Sequence, residues 1–189
     1  MKIGFLSDWD FRASGYFNIS SALCTGLSER GHDVKAIGLG YRGEEHDYPF
    51  GIIPSRDLLE SSAIAQNLSE LWDMDLLIVA LDIPVQEQFM LHCHGRKYKY
   101  AGIFPLEAPP LCATWAISLM QMDKRFVISK FGTLELETRG VPAVHLPVGI
   151  DTESWRMPTE EERKRIRNND LSLDDDTFVV LTVADNQER

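Results

Sequence analysis

Six consecutive apolar residues, Leu76-Leu77-Ile78-Val79-Ala80-Leu81, lie between Asp75 and Asp82 with nothing polar among them. A strand with one wet face alternates apolar and polar side chains. An unbroken run is the mark of a strand covered on both faces, as in a parallel sheet flanked by helices. That run sets the terms for reading the rest of the chain.

Strand-like and helix-like segments alternate along it with little between them. Strands are predicted at residues 2–7, 33–39, 51–54, 75–81, 98–104, 125–129 and 143–147. Helices are predicted at 16–30, 57–72, 84–91, from Pro109-Pro110 to about Met122, and at 131–139. Ile19, Leu23 and Leu27 share one face of the first helix, and Gly31 supplies its stop. Repeated β-then-α units imply an α/β fold, a doubly wound, Rossmann-like parallel sheet. After Gly149 the character changes. Residues 158–168 read as a strongly charged helix, Asp174-Asp175-Asp176 as a turn, and 177–184 as a fresh apolar strand. The expected division is a Rossmann-like domain over residues 1–157, a linker helix over 158–170, and the start of an incomplete second domain over 171–189.

The 189 residues are 44% apolar and 25% charged, the proportions of an ordinary globular protein. A net charge of −10 argues against a partner made of duplex nucleic acid, whose phosphates need a surplus of Lys and Arg. The first apolar run is stopped by Asp8, Asp10 and Arg12, too short for a signal peptide or a membrane span. Cys24, Cys93 and Cys112 are an odd number at unrelated spacings, which suits a reduced, cytoplasmic protein.

In a doubly wound sheet the loops leaving the carboxyl ends of the strands lie along one edge, where ligands bind. Here those loops hold the unusual residues. They are the stretch from Asp8 to Gly15, Asp82-Ile83-Pro84, the stretch from Pro105 to Pro110, Ser129-Lys130-Phe131-Gly132, and Val148-Gly149-Ile150-Asp151. Neither G-x-G-x-x-G nor G-x-x-x-x-G-K-[ST] occurs. Ser14-Gly15 reads either as an anion-binding helix start or as a plain cap with a tight turn. Asp82 is a candidate site residue or an ordinary cap of the turn into Ile83-Pro84. Ser129 reads as a helix cap. Asp8 and Asp10 are an acid/base pair or polar turn residues. His92-Cys93-His94 follows no standard zinc spacing and reads as a surface bend ahead of Gly95, so no metal site is expected.

Taken together, these loops resemble the N-terminal domain of the group 1 (family 4) glycosyltransferases, retaining enzymes of GT-B architecture. The resemblance rests on the stretch from Phe126 to Gly132, on Gly140-Val141-Pro142, and on the stretch from Leu146 to Thr152, with Trp155 where the family usually has Phe. The stretch from Phe104 to Pro110 is similar to a family loop, with Glu107 and Ala108 replacing Asp and Gly. The stretch from Leu181 to Arg189 looks like the opening of the family's donor domain, although Asp185 stands where many relatives have Arg.

The resemblance implies transfer of a sugar from a UDP- or GDP-sugar to a saccharide or other hydroxyl acceptor, without a resident cofactor or metal. It assigns Asp82 and Glu107 as candidate catalytic residues on the acceptor side. Ser14, Gly15 and Tyr16 form the acceptor-binding glycine turn, and Arg189 is a donor-side contact. The fragment alone is expected to be inactive, and its last strand is open to edge pairing with a second copy. A non-catalytic glycan- or nucleotide-binding module is the alternative, and a nucleotide-sugar isomerase or epimerase ranks below both.

Overall fold

The computed structural model describes residues 1–10, 15–174 and 177–181. The chain falls into two units, Met1–Val148 and Gly149–Arg189. In the first, strand and helix alternate: β1 (Lys2–Asp8), α1 (Gly15–Glu29), β2 (Asp33–Leu39), β3 (Gly51–Ser55), α2 (Leu58–Leu71), β4 (Leu76–Ala80) and α3 (Ile83–Met90). These are followed by β5 (Lys99–Phe104), α4 (Ala113–Met120), β6 (Lys124–Val127), α5 (Lys130–Thr138) and β7 (Val144–His145). All seven strands are parallel, in the order β3-β2-β1-β4-β5-β6-β7.

Strand periodicity divides the apolar residues between two cores. On β4, Leu77 and Val79 join one, while Ala80 and the partly buried Ile78 join the other. On β5, Tyr100 and Phe104 face the first core and Ile103 the second. Helices α2 to α5 supply Ala65, Leu68, Phe89, Leu119 and Leu136 to the first core. Helix α1 supplies Cys24, with Leu23 and Leu27, to the second. Both faces of the sheet are thus covered, and the doubly wound, Rossmann-like class expected from the sequence is the one found.

The differences lie at element ends. Pro109-Pro110 does not open α4: the peptide between them is cis, and the helix starts at Ala113 with Cys112 as N-cap. A residue that precedes proline is pushed out of the helical region, so a Pro-Pro pair is a poor place for a helix to begin. Strand β7 shrinks to two residues at the sheet edge, because Pro142 and Pro147 beside it have no amide to give a ladder.

In the second unit a six-residue helix, α6 (Glu160–Arg165), runs into a π-helical turn at Ile166–Asp170. Its start is shorter than the sequence suggests, since Thr159 and Glu162 form a capping box. Arg156 binds the same Glu162 carboxylate at 2.8 and 3.0 Å, and this pairing is the main reason its pKa falls to about 2. Residues 177–181 are not a strand: Phe178 and Val180 are exposed and have no neighbouring ladder. The remainder of that expected strand lies outside the described residues. Among the described residues no helix is long and apolar enough to cross a membrane.

Leu77 is fully buried whereas Leu71, on α2, is 85% exposed. Leu77→Ala should cost about 2–5 kcal/mol in urea denaturation. Leu71→Ala should stay within about 0.5 kcal/mol of the parent.

Candidate functional site

The chain builds β1, β2 and β3 outward in one direction, then returns to place β4 on the other side of β1. Strand order reverses between β1 and β4, so the loops that leave these two strands diverge and leave a crevice at their carboxyl ends. Two of the expected site residues meet across it. Tyr16, in the first turn of α1, donates its phenol hydroxyl to Oδ1 of Asp82, just past β4, at 2.6 Å.

Asp82 occupies the N-cap position of α3, yet its side chain caps nothing. The cause is local. Pro84 stands at the second helical position and has no amide to offer. The next amide, of Val85, bonds the main-chain carbonyl of Asp82 instead, at 3.0 Å. The carboxylate is therefore left for other work, and of the two sequence readings of Asp82 the capping one fails. Ser129 behaves differently: its hydroxyl accepts from the Gly132 amide at 3.0 Å, an ordinary cap.

Burial is the first cause that lifts the Tyr16 pKa well above its ordinary value, followed by the bond to Asp82 and the negative charges of Asp82 and Glu107. Glu107 thus bears on the same crevice from the β5–α4 loop. Leu106 beside it is buried in the core under α4 and α5, and the Leu111 amide is held by Glu135 at 3.0 Å. Both anchors fix the loop that presents Glu107. Gly15 opens α1 without a left-handed backbone, and a β-carbon there would meet no atom of the described residues within 4 Å. Ser14 and Arg189 lie outside the described residues.

Two buried polar side chains hold the crevice floor, and the sequence reading did not single them out. Ser7 on β1 donates to the carbonyl of Ala80, its register partner on β4, at 3.0 Å. Gln86 on α3 is fully buried and donates from Nε2 to the carbonyls of Leu81 (2.7 Å) and Ile103 (3.0 Å). Its Oε1 accepts from the Tyr100 hydroxyl at 3.1 Å. Gln86 therefore ties the end of β4, and Asp82 with it, to β5. Gly102 makes room for this: a β-carbon there would lie 2.7 Å from Gln86 Oε1 and 2.6 Å from Met122 Sδ. The signals were present, since Gln86 shares a helix face with Phe89 and Met90, and a glycine inside a strand marks close approach.

Other candidates do not converge. Asp8 accepts from the Asp10 amide at 3.0 Å, a turn contact of the kind aspartates commonly make. Cys93 is buried and bonds the Phe89 carbonyl, while His92 and His94 are exposed. Among the described residues no group of three or more His, Cys, Asp or Glu is arranged to hold a metal ion. Two hollows of about 390 and 400 Å³ lie elsewhere. The first, with Lys2, Asp33, Asp73 and Asp75, sits at the amino ends of the strands, opposite the edge where open α/β sheets bind ligands.

No known protein-family model matches the chain, and no curated protein matches it significantly by sequence.

Two measurements check this arrangement. Gln86→Leu removes a donor from each of the Leu81 and Ile103 carbonyls, the second of which keeps the Leu81 amide, and takes the acceptor from the buried Tyr100 hydroxyl, and should cost about 2–4 kcal/mol in urea denaturation. Because the folded-state pKa of Tyr16 is raised, its contribution to stability is complete below the ordinary phenol value of about 10 and declines as pH rises beyond it. Asp82→Asn should lower the Tyr16 pKa, followed by ¹³Cζ-tyrosine NMR, but not restore its ordinary value, since burial is the largest cause.

Proposed function

We propose that this chain is the acceptor-side part of a retaining glycosyltransferase that moves a sugar from a UDP- or GDP-sugar to a hydroxyl acceptor. The observation that carries the reading is the meeting of Tyr16 and Asp82 across the crevice where strand order reverses, with Glu107 bearing on the same place. Glu107 stands in the stretch from Phe104 to Pro110, which resembles a glycosyltransferase loop. Two acidic side chains at a sheet edge suit an acceptor alcohol: each accepts a hydrogen bond from a hydroxyl and orients its oxygen for attack.

The chemistry needs little more from this side. In glycosyl transfer the departing diphosphate gains negative charge, and amides with Arg or Lys stabilise it. Arg189 is our proposed contributor to that donor side. Asp82 and Glu107 hold the incoming hydroxyl, and a carboxylate within reach of its proton assists the transfer. Gly15, which has no side chain of its own, lets a substrate approach the backbone closely.

The test is nucleotide release from a panel of UDP- and GDP-sugars with saccharide acceptors. It compares this chain with a version extended through any downstream reading frame. Release by the extended form is the expected result. Asp82→Asn should reduce it about 100-fold, within the range of an acid–base group. Ser129→Ala should leave it unchanged while costing about 1 kcal/mol of stability through loss of the helix cap. Sugar or nucleotide binding without release for any pair would turn the reading to a non-catalytic binding module.

A further inference from the structure

The geometry points to Tyr16 as a built-in competitor at the acceptor position: its phenol hydroxyl occupies the Asp82 carboxylate where a neutral alcohol hydroxyl of the acceptor would bind. This rests on the glycosyl-transfer reading of the crevice. It adds that the structure is a resting state in which an acceptor hydroxyl competes with Tyr16 for Asp82 Oδ1.

Three features carry it. First, the Asp82 carboxylate has been released from helix capping, because Pro84 removes one amide and the Val85 amide is engaged by the main chain. A carboxylate freed in this way, next to a strand end that Gln86 ties to β5, is a receptor for a donor group from outside its own helix. Second, what it holds is chemically informative. The partner is an uncharged hydroxyl at 2.6 Å, the length of a strong O–H···O⁻ bond. The same carboxylate oxygen that accepts from a phenol accepts from a sugar hydroxyl in the same geometry. Third, the placeholder comes from the far side of the crevice. Tyr16 belongs to α1 after β1, whereas Asp82 and Glu107 follow β4 and β5.

An ammonium or guanidinium ligand is the rival class for two carboxylates. The resting partner argues against it, since the crevice holds its carboxylate with a neutral donor. No basic side chain of a described residue pairs with Asp82 or Glu107, although Arg and Lys pair with acids elsewhere on the surface. The specificity implied is for neutral, hydroxyl-rich acceptors.

The experiment titrates methyl α-glucoside, methyl α-mannoside and methyl α-galactoside into the chain labelled with ¹³Cζ-tyrosine. In the parent, binding should move the Tyr16 resonance toward that of a phenol not bonded to a carboxylate. Tyr16→Phe keeps the ring in the core and removes only the competing hydroxyl. It should bind at least one glycoside roughly tenfold more tightly, the factor carried by one hydrogen bond of ordinary net strength. Asp82→Asn should weaken binding. Weaker binding to Tyr16→Phe overturns the proposal and makes Tyr16 a direct acceptor contact. An unmoved Tyr16 resonance, or no glycoside binding to either form, overturns it as well. The resonance shift needs no variant, so the test stays decisive if Tyr16→Phe does not fold. Tighter glycoside binding without nucleotide release would remove the transferase reading and leave the competitor standing. Release without tighter binding would do the reverse.

Discussion

Everything at the candidate site depends on β1 being hydrogen-bonded on both sides, to β2 over its whole length and to β4 over five residues. A central parallel strand cannot be served by its sequence neighbours alone, because parallel pairing needs a crossover each time. The chain meets this by leaving β1 in one direction and returning to its other flank. Two loops that would otherwise run side by side are thereby sent apart. The crevice between them follows from connectivity, before any particular side chain is considered.

Side chains then decide how firmly the crevice is held. Ser7 and Gln86, buried beneath it, are tolerated because each finds a partner. Ser7 and Gln86 satisfy main-chain carbonyls at the two strand ends, where the regular ladder runs out. The effect is a floor tied together at the strand ends, with the exposed Asp82 just beyond it. Rigid support of this kind is what a binding geometry requires, since an error of an ångström in a carboxylate is a large fraction of a hydrogen bond.

The fold was legible in the sequence because its signals are cumulative. The apolar run before Asp82, the helical spacing of Ile19, Leu23 and Leu27, and the turn residues between segments all favour one architecture. Element ends were less legible. Pro109-Pro110 carries a helix-start signal and a helix-avoiding one together, and only tertiary context decides between them. The apolar run at 177–181 has strand composition, but composition supplies no ladder partner. At the site, Asp82 stood out as the acidic end of a buried strand, whereas its contact with Tyr16 joins residues 66 positions apart and has no local signature. Gln86 was hidden for another reason: a buried amide looks like any surface glutamine until the carbonyls around it are known.

Gly102, Gln86 and Met122 share a volume too small for one more carbon. None of the three is free to change by itself. A shorter residue at 86 would open a void beside the glycine, and a larger residue at 102 would collide with both neighbours. In any lineage that carries this sheet the three positions should drift as a set. Exchanges there would then trace ancestry at the level of the crevice floor, beneath a rim that is free to diversify with each new ligand.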